Sequence, residues 1–364
     1  MEGETFSRED TRCLKAVAIL LMILHHSPNG GDEATLTAAG RQLYMALVGA
    51  GKLCVGLFAL LAGYGLWMRI SEKGDTPKQW TECIGGRILG VYRKYWLSFL
   101  AFVPFMMLKR DWHPGLRVWM KNLFCIDPTL NRETWFLRFF VLCCLTAPLL
   151  YHLLERTRGG TLWTDVLLVA VWDIVARDII LAGVRPLPVL SNYIQTDAAK
   201  WMREYWLYSA VFLMGMVVAR HDLFSALKRT AAAWRPAART VIGLAACALS
   251  LAMGSYLGDR FMAWTTLPLC AGVILLSAAH GPLWRGMVRL GRHTTYIWLT
   301  HTYFLYYAFP TYLYRLKHPV LIIAACLALS LLTALVLETV EDRVLPALGK
   351  RLLYKPLPQE GKEP

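Results

Sequence analysis

The sequence predicts an all-α integral membrane protein of about ten transmembrane helices, with both termini cytoplasmic. Three observations carry this. The 364-residue chain is 56% hydrophobic and only 18% charged. Apolar runs long enough to approach a bilayer crossing recur along its whole length. Its 39 Lys and Arg residues gather between those runs, and they do so unevenly.

The apolar segments lie near 11–27, 48–68, 91–108, 134–154, 163–182, 204–220, 238–256, 261–279, 293–312 and 319–338. With the N-terminus inside, 24 of the 39 cationic residues fall in inner connections and 12 in outer ones. Cations at the inner span ends, such as Lys15 and Arg93, are counted as inner; Lys52, Arg138 and Arg177 fall within spans and belong to neither count. This excess places both termini in the cytoplasm. The connection at 109–133 runs against the trend, with Lys109, Arg110, Arg117, Lys121 and Arg132 outside. We divide the chain into a membrane domain, 1–345, and a polar, Pro-rich tail, 346–364, expected to be disordered. The first segment has no small-residue cleavage site and reads as a retained helix rather than a cleaved signal.

The first segment, RCLKAVAILLMILHH, is the most informative. As a helix, the eleven steps from Lys15 to His26 return close to the starting angle. Both side chains then lie on one stripe, about 16 Å apart along the axis. A cation and an imidazole on one face of an apolar helix are costly in lipid, so they belong in a protein interior or a wet cavity. His25 points about 100° away. From this pair alone two readings stand: a snorkelling lysine with an interfacial histidine, or a polar track with His26 as general base toward an alcohol.

Between the second and third segments, Arg87, Arg93 and Lys94 gather at the inner face. They fit ordinary positive-inside flanking charge, or the diphosphate and 3′-phosphate of a CoA thioester. In the outer connection, Trp112, Leu116, Trp119, Met120 and Leu123 recur at helical spacing, which predicts an amphipathic interfacial helix over 112–124. Trp135 opens the fourth segment, either as an aromatic-belt anchor or as a ring on which a sugar face stacks. Arg138 lies one turn further on, with Asp178 or another polar acceptor as its partner. Asp173 and Arg177 form an i,i+4 pair that reads as structural. His301 sits mid-way along the ninth segment, as a satisfied core histidine or as a polar group of a site. Asp32 and Glu33 follow His26, either as carboxylates of a solvated loop or as groups that orient its ring.

The net charge of +14 does not indicate nucleic acid, because the cations lie between apolar segments and no nucleic-acid-reading motif is present. The nine cysteines show no CxxC and no metal-ligand spacing, so they read as small buried thiols, with Cys83 and Cys125 in loops. No metal is expected. No GxSxG, HExxH or Gly-rich phosphate loop occurs.

Five motifs, in order along nearly the full chain, resemble the acyltransferase-3 family of membrane O-acyltransferases. The Lys15/His26 track looks like the family's R/K-x10-H motif. CVGLFALLAGYGLW, TWFLRFFVLCCLTAPLLY, WLYSAVFLMGMVVAR and LGRHTTYIWLTHTYF are similar to four further family segments. Departures are Ala59 for Phe, Ala62 for Ser, Gly90 for the second Arg of a basic stretch, and Arg93 for its Pro. The resemblance implies acyl transfer, most simply acetyl, from cytoplasmic acyl-CoA to a hydroxyl of a cell-surface or lipid-linked glycan. It implies His26 as catalytic base. Lys15, Arg87, Arg93, Trp135 and His301 would contact substrate, with acyl-CoA as donor and no bound cofactor. The expected location is the plasma or inner membrane. The alternative is a transporter or flippase of a polar glycan, with Asp173, Arg177, Arg138 and His301 lining its path.

Overall fold

The computed structural model describes residues 5–28, 35–110, 113–156, 160–176, 197–277 and 281–346. These residues are almost entirely helical, with no strand among them. Each of the ten predicted apolar segments contains helix, and the helices often run past the apolar stretch. Four helical stretches are long and apolar enough to cross a membrane: Ala38–Lys73, Arg132–Arg156, Pro236–Leu257 and Pro319–Val344. A fifth arises if the bent pair Asp197–Arg220 and Leu223–Ala232 counts as one span.

Helix α1, Arg8–His26, starts at a capping box: Asp10 N–H donates to Ser7 Oγ at 3.2 Å and Ser7 N–H to Asp10 Oδ2 at 2.7 Å. Asp10 also binds Lys228 Nζ at 2.7 Å, which ties the helix start to the segment Leu223–Ala232. Five charged residues, Arg8, Glu9, Asp10, Arg12 and Lys15, lie in α1, too many for a helix facing lipid. Burial explains how they are tolerated. Leu14, Ala18, Ile19 and Ile23 are fully buried, and α1 packs against six other helices. It is a core helix rather than a lipid-facing one.

Helices α2, Ala38–Ala50, and α3, Leu53–Lys73, form a nearly continuous rod. Helix α4, Pro77–Arg110, is 34 residues long. Cys83 therefore sits in a helix and is buried, not in a loop as the sequence suggested, because α4 begins well before its apolar part. Helix α5, Leu116–Leu123, occupies the predicted amphipathic segment. Its polar Asn122 points inward and holds Leu130 N–H at 2.9 Å, while Leu116 and Met120 are exposed. Cys125 follows it, outside regular helix but fully buried.

Helix α6, Trp135–Arg156, leads to α7, Leu162–Ile174, and then to α8, Asp197–Arg220. At the α3–α8 crossing two backbones come into direct contact. A Cβ on Gly63 would overlap the Phe212 carbonyl, and one on Gly215 would overlap the Leu60 carbonyl. Two glycines, one in each of two family-like motifs, thus let two backbones touch. Small residues serve this purpose in membranes, where apolar side chains gain nothing by leaving lipid. Arg220, at the end of α8, binds buried Asp165 Oδ2 at 3.1 Å and so fastens α8 to α7.

The rest comprises α9, Leu223–Ala232, α10, Pro236–Leu257, α11, Met262–Ser277, α12, Pro282–Leu290, and α13, Thr294–Thr302. A π-helical turn, Tyr303–Tyr307, continues α13, and α14 spans Pro319–Thr339. Of the proposed tail, only its first residue is described; the remainder lies outside the described residues.

Candidate active site

Helix α1 ends at His26, beside the rod of α2 and α3, the start of α6, and α13. A cavity of about 270 Å³ opens there. Its walls include His26, His301, Trp135, Phe136, Glu133 and Lys52. Three residues nominated from sequence, from the start, middle and end of the chain, therefore share one enclosure. The family-like motifs that contain them converge there.

The two imidazoles face each other with ring centroids 5.3 Å apart and planes inclined by 50°. His301 is fully buried. Its Nδ1–H donates to the Trp298 carbonyl at 2.7 Å, since a carbonyl can only accept. In the neutral ring the lone pair is then on Nε2, which is buried without a hydrogen-bond partner among the described residues. A buried acceptor with nothing to accept is uncommon, and such groups often mark function. His26 is half-buried. Its Nδ1 lies 3.2 Å from Tyr306 Oη, and the same hydroxyl donates to the His26 carbonyl at 2.7 Å.

His25 turns elsewhere, as its helical angle requires. Its Nδ1–H donates to the Val48 carbonyl at 2.8 Å, pinning α1 to α2. Lys52 is neutralised by Asp259 at 2.5 Å, so it is not a free cation in the cavity. Trp135 packs against Tyr208, with centroids 5.4 Å apart, and presents an aromatic wall.

Toward the other end of α1, Lys15 lies close enough to Arg87 for their charges to interact. Arg87 Nη1 donates to the Ala62 carbonyl at 3.1 Å. Neither cation has a carboxylate partner among the described residues. Two half-buried cations that repel each other without an anion between them are unfavourable unless an anion arrives. Arg93 is different: its Nε binds Glu341 Oε1 at 2.5 Å. Lys94 at 2.7 Å and Tyr296 Oη at 2.7 Å hold the same carboxylate. Lys15 and Arg87 thus lie within electrostatic range of each other, while Arg93 sits in a separate, compensated cluster.

Arg138 pairs with Glu204, its Nε 3.1 Å from Oε2, and donates to the Ile126 carbonyl at 3.0 Å. It is 6% exposed. Asp173 is buried. Arg177, Asp178, Asp32 and Glu33 lie outside the described residues. Sequence reasoning missed Tyr306, Glu133 and Lys52 in this region. Glu133 carried a signal, a carboxylate two residues before a tryptophan already singled out. Tyr306 carried none, since tyrosines at a membrane boundary are ordinary.

A family model described as Acyltransferase domain matches residues 10–339. That is most of the chain, and it runs from the start of α1 to the end of α14; the chain belongs to this family. No curated protein and no solved structure matches it.

Proposed function

We propose that this membrane acyltransferase moves an acetyl group from cytoplasmic acyl-CoA to a hydroxyl of a cell-surface or lipid-linked glycan, with His26 as general base. The observation that carries the reading is the face of α1. It presents an uncompensated Lys15–Arg87 cation pair at one end and an imidazole in an aromatic-walled cavity at the other. Donor and acceptor sites about 16 Å apart along one helix suit substrates that come from opposite sides of a membrane.

In this reading Lys15 and Arg87 hold CoA phosphates by charge-assisted hydrogen bonds. Arg93, already neutralised by Glu341, contributes a smaller share. The thioester extends to the histidine cavity, where Trp135 stacks on the acceptor sugar. His26 Nε2 takes the hydroxyl proton as its oxygen bonds to the thioester carbonyl carbon. The C–S bond then breaks, and the imidazolium returns the proton to the CoA sulfur. A variant route has His26 carry the acyl group covalently before water-free transfer to the glycan. His301 shares the cavity and supports the imidazolium as it forms. In this reading the ten apolar segments are ten crossings, the Lys/Arg excess supports cytoplasmic termini, and the family resemblance supports a plasma- or inner-membrane location.

The test uses acetyl-CoA labelled in its acetyl group, supplied to sealed membranes with host glycans. Glycan carrying base-labile label, with stoichiometric CoA release, is the expected result. Glycan moved across the membrane unchanged, with no CoA released, would instead indicate a transporter.

A further inference from the structure

We propose that Tyr306 is a positioning residue that locks His26 in the tautomer able to act as a base. The inference rests on His26 as the base, as proposed above, and adds a residue that no sequence motif singled out.

Hydrogen-bond accounting gives the argument. The Tyr306 hydroxyl has one proton and two lone pairs. Its oxygen is 2.7 Å from the His26 carbonyl oxygen, which only accepts, so the proton goes there. The contact to His26 Nδ1, at 3.2 Å, is then one in which the hydroxyl accepts. Nδ1 therefore carries the ring hydrogen, and Nε2 keeps its lone pair. The opposite arrangement would set two oxygen lone pairs against each other at 2.7 Å. A second-group hydrogen bond at one ring nitrogen is the usual way a protein assigns the role of the other.

The backbone places Tyr306 there deliberately. In a regular α-helix, residues 301 and 306 would point about 140° apart. The turn at Tyr303–Tyr307 is π-helical, closed by Ala308 N–H to the Tyr303 carbonyl at 2.7 Å. The extra residue in that turn swings Tyr306 toward the side of His301. One imidazole on α1 thus meets both His301, ring to ring, and Tyr306, whose ring centroid is 5.7 Å away at 83°. Single π turns inside helices are frequent at functional sites.

The experiment combines two readouts on the full chain in lipid nanodiscs. Nitrogen-15 histidine spectra report the tautomer, with the His26 signals identified by their loss in His26→Gln. Acetyl transfer from acetyl-CoA reports turnover. Wild type should show His26 protonated at Nδ1. Tyr306→Phe, which keeps the ring and removes only the hydroxyl, should show a mixture of tautomers. Its kcat should fall about tenfold with KM for acetyl-CoA within about twofold of wild type. An Nε2–H tautomer in wild type overturns the inference. So does Tyr306→Phe with unchanged tautomer and unchanged kcat. Full transfer activity in His26→Gln overturns the base reading instead, whatever tautomer the wild-type spectra show.

Discussion

His26 and His301 come from opposite ends of the chain, yet their rings sit 5.3 Å apart in one cavity, and the Nε2 of His301 has no hydrogen-bond partner among the described residues. This pairing makes His301 an electrostatic neighbour of any proton that His26 takes up. His301→Gln should keep the fold, since it retains a polar group of similar reach, and should lower acetyl-CoA-dependent CoA release roughly tenfold to a hundredfold. A rate equal to wild type, measured at matched expression, would reduce His301 to a packing residue.

The cation pair gives a second prediction, in which magnitudes separate three residues. Lys15→Ala and Arg87→Ala should each raise KM for acetyl-CoA by about tenfold or more, as expected for losing a charge-assisted hydrogen bond. Arg93→Ala should change it by only about twofold, because Glu341 already neutralises that guanidinium and Lys94 still holds Glu341. Initial rates against acetyl-CoA concentration distinguish the outcomes. A larger effect at Arg93 than at Arg87 would move the phosphate site to the other cluster.

Packing supplies a third. Gly63→Ala would drive a methyl group into the Phe212 carbonyl at the α3–α8 crossing. The helices must separate, at a cost of about 1–3 kcal/mol, the range typical of overpacking. Thermal unfolding in detergent should show a lower midpoint than wild type. Gly85→Ala, where a Cβ would meet nothing within 4 Å, is the matched control and should leave the midpoint unchanged or raise it slightly.

Arg138 and Glu204 form an ion pair of which Arg138 is 6% and Glu204 20% exposed at the side chain. Arg138→Ala strands a largely buried carboxylate and should destabilise the protein by about 3–5 kcal/mol. The double replacement Arg138→Met, Glu204→Leu should recover much of that, because no charge is left unpaired. Denaturation of both variants, followed by loss of the monodisperse detergent-solubilised form, checks this. Equal loss in the single and double variants would mean that the pair matters for its geometry rather than its charge.

Much of this architecture was legible because it is local. The apolar runs mark the helices, and the Lys15/His26 spacing needs only the 100° step of one helix. The motifs at 54–67 and 206–220 could be recognised as patterns, but not why they contain Gly63 and Gly215. That reason is a contact between distant segments, which no periodicity encodes. The same holds for His301 and Trp135: each was a plausible candidate alone, and only the tertiary fold puts them in one cavity with His26. Arg93 looked equivalent to Arg87 because both flank a span; Glu341, far along the chain, makes them different. Tyr306 was invisible because its role depends on a π turn, and Tyr303–Tyr307 reads in sequence as an ordinary aromatic stretch. Cys83 was misplaced because helix α4 starts well before its apolar part.

The central claim is that His26 performs chemistry on an acyl group. The direct measurement is transfer of labelled acetyl from acetyl-CoA into base-labile glycan ester, in matched membranes holding equal amounts of wild type and His26→Ala. The account predicts ester formation with wild type and a loss of at least about a hundredfold with His26→Ala. Equal transfer by the two proteins would contradict it.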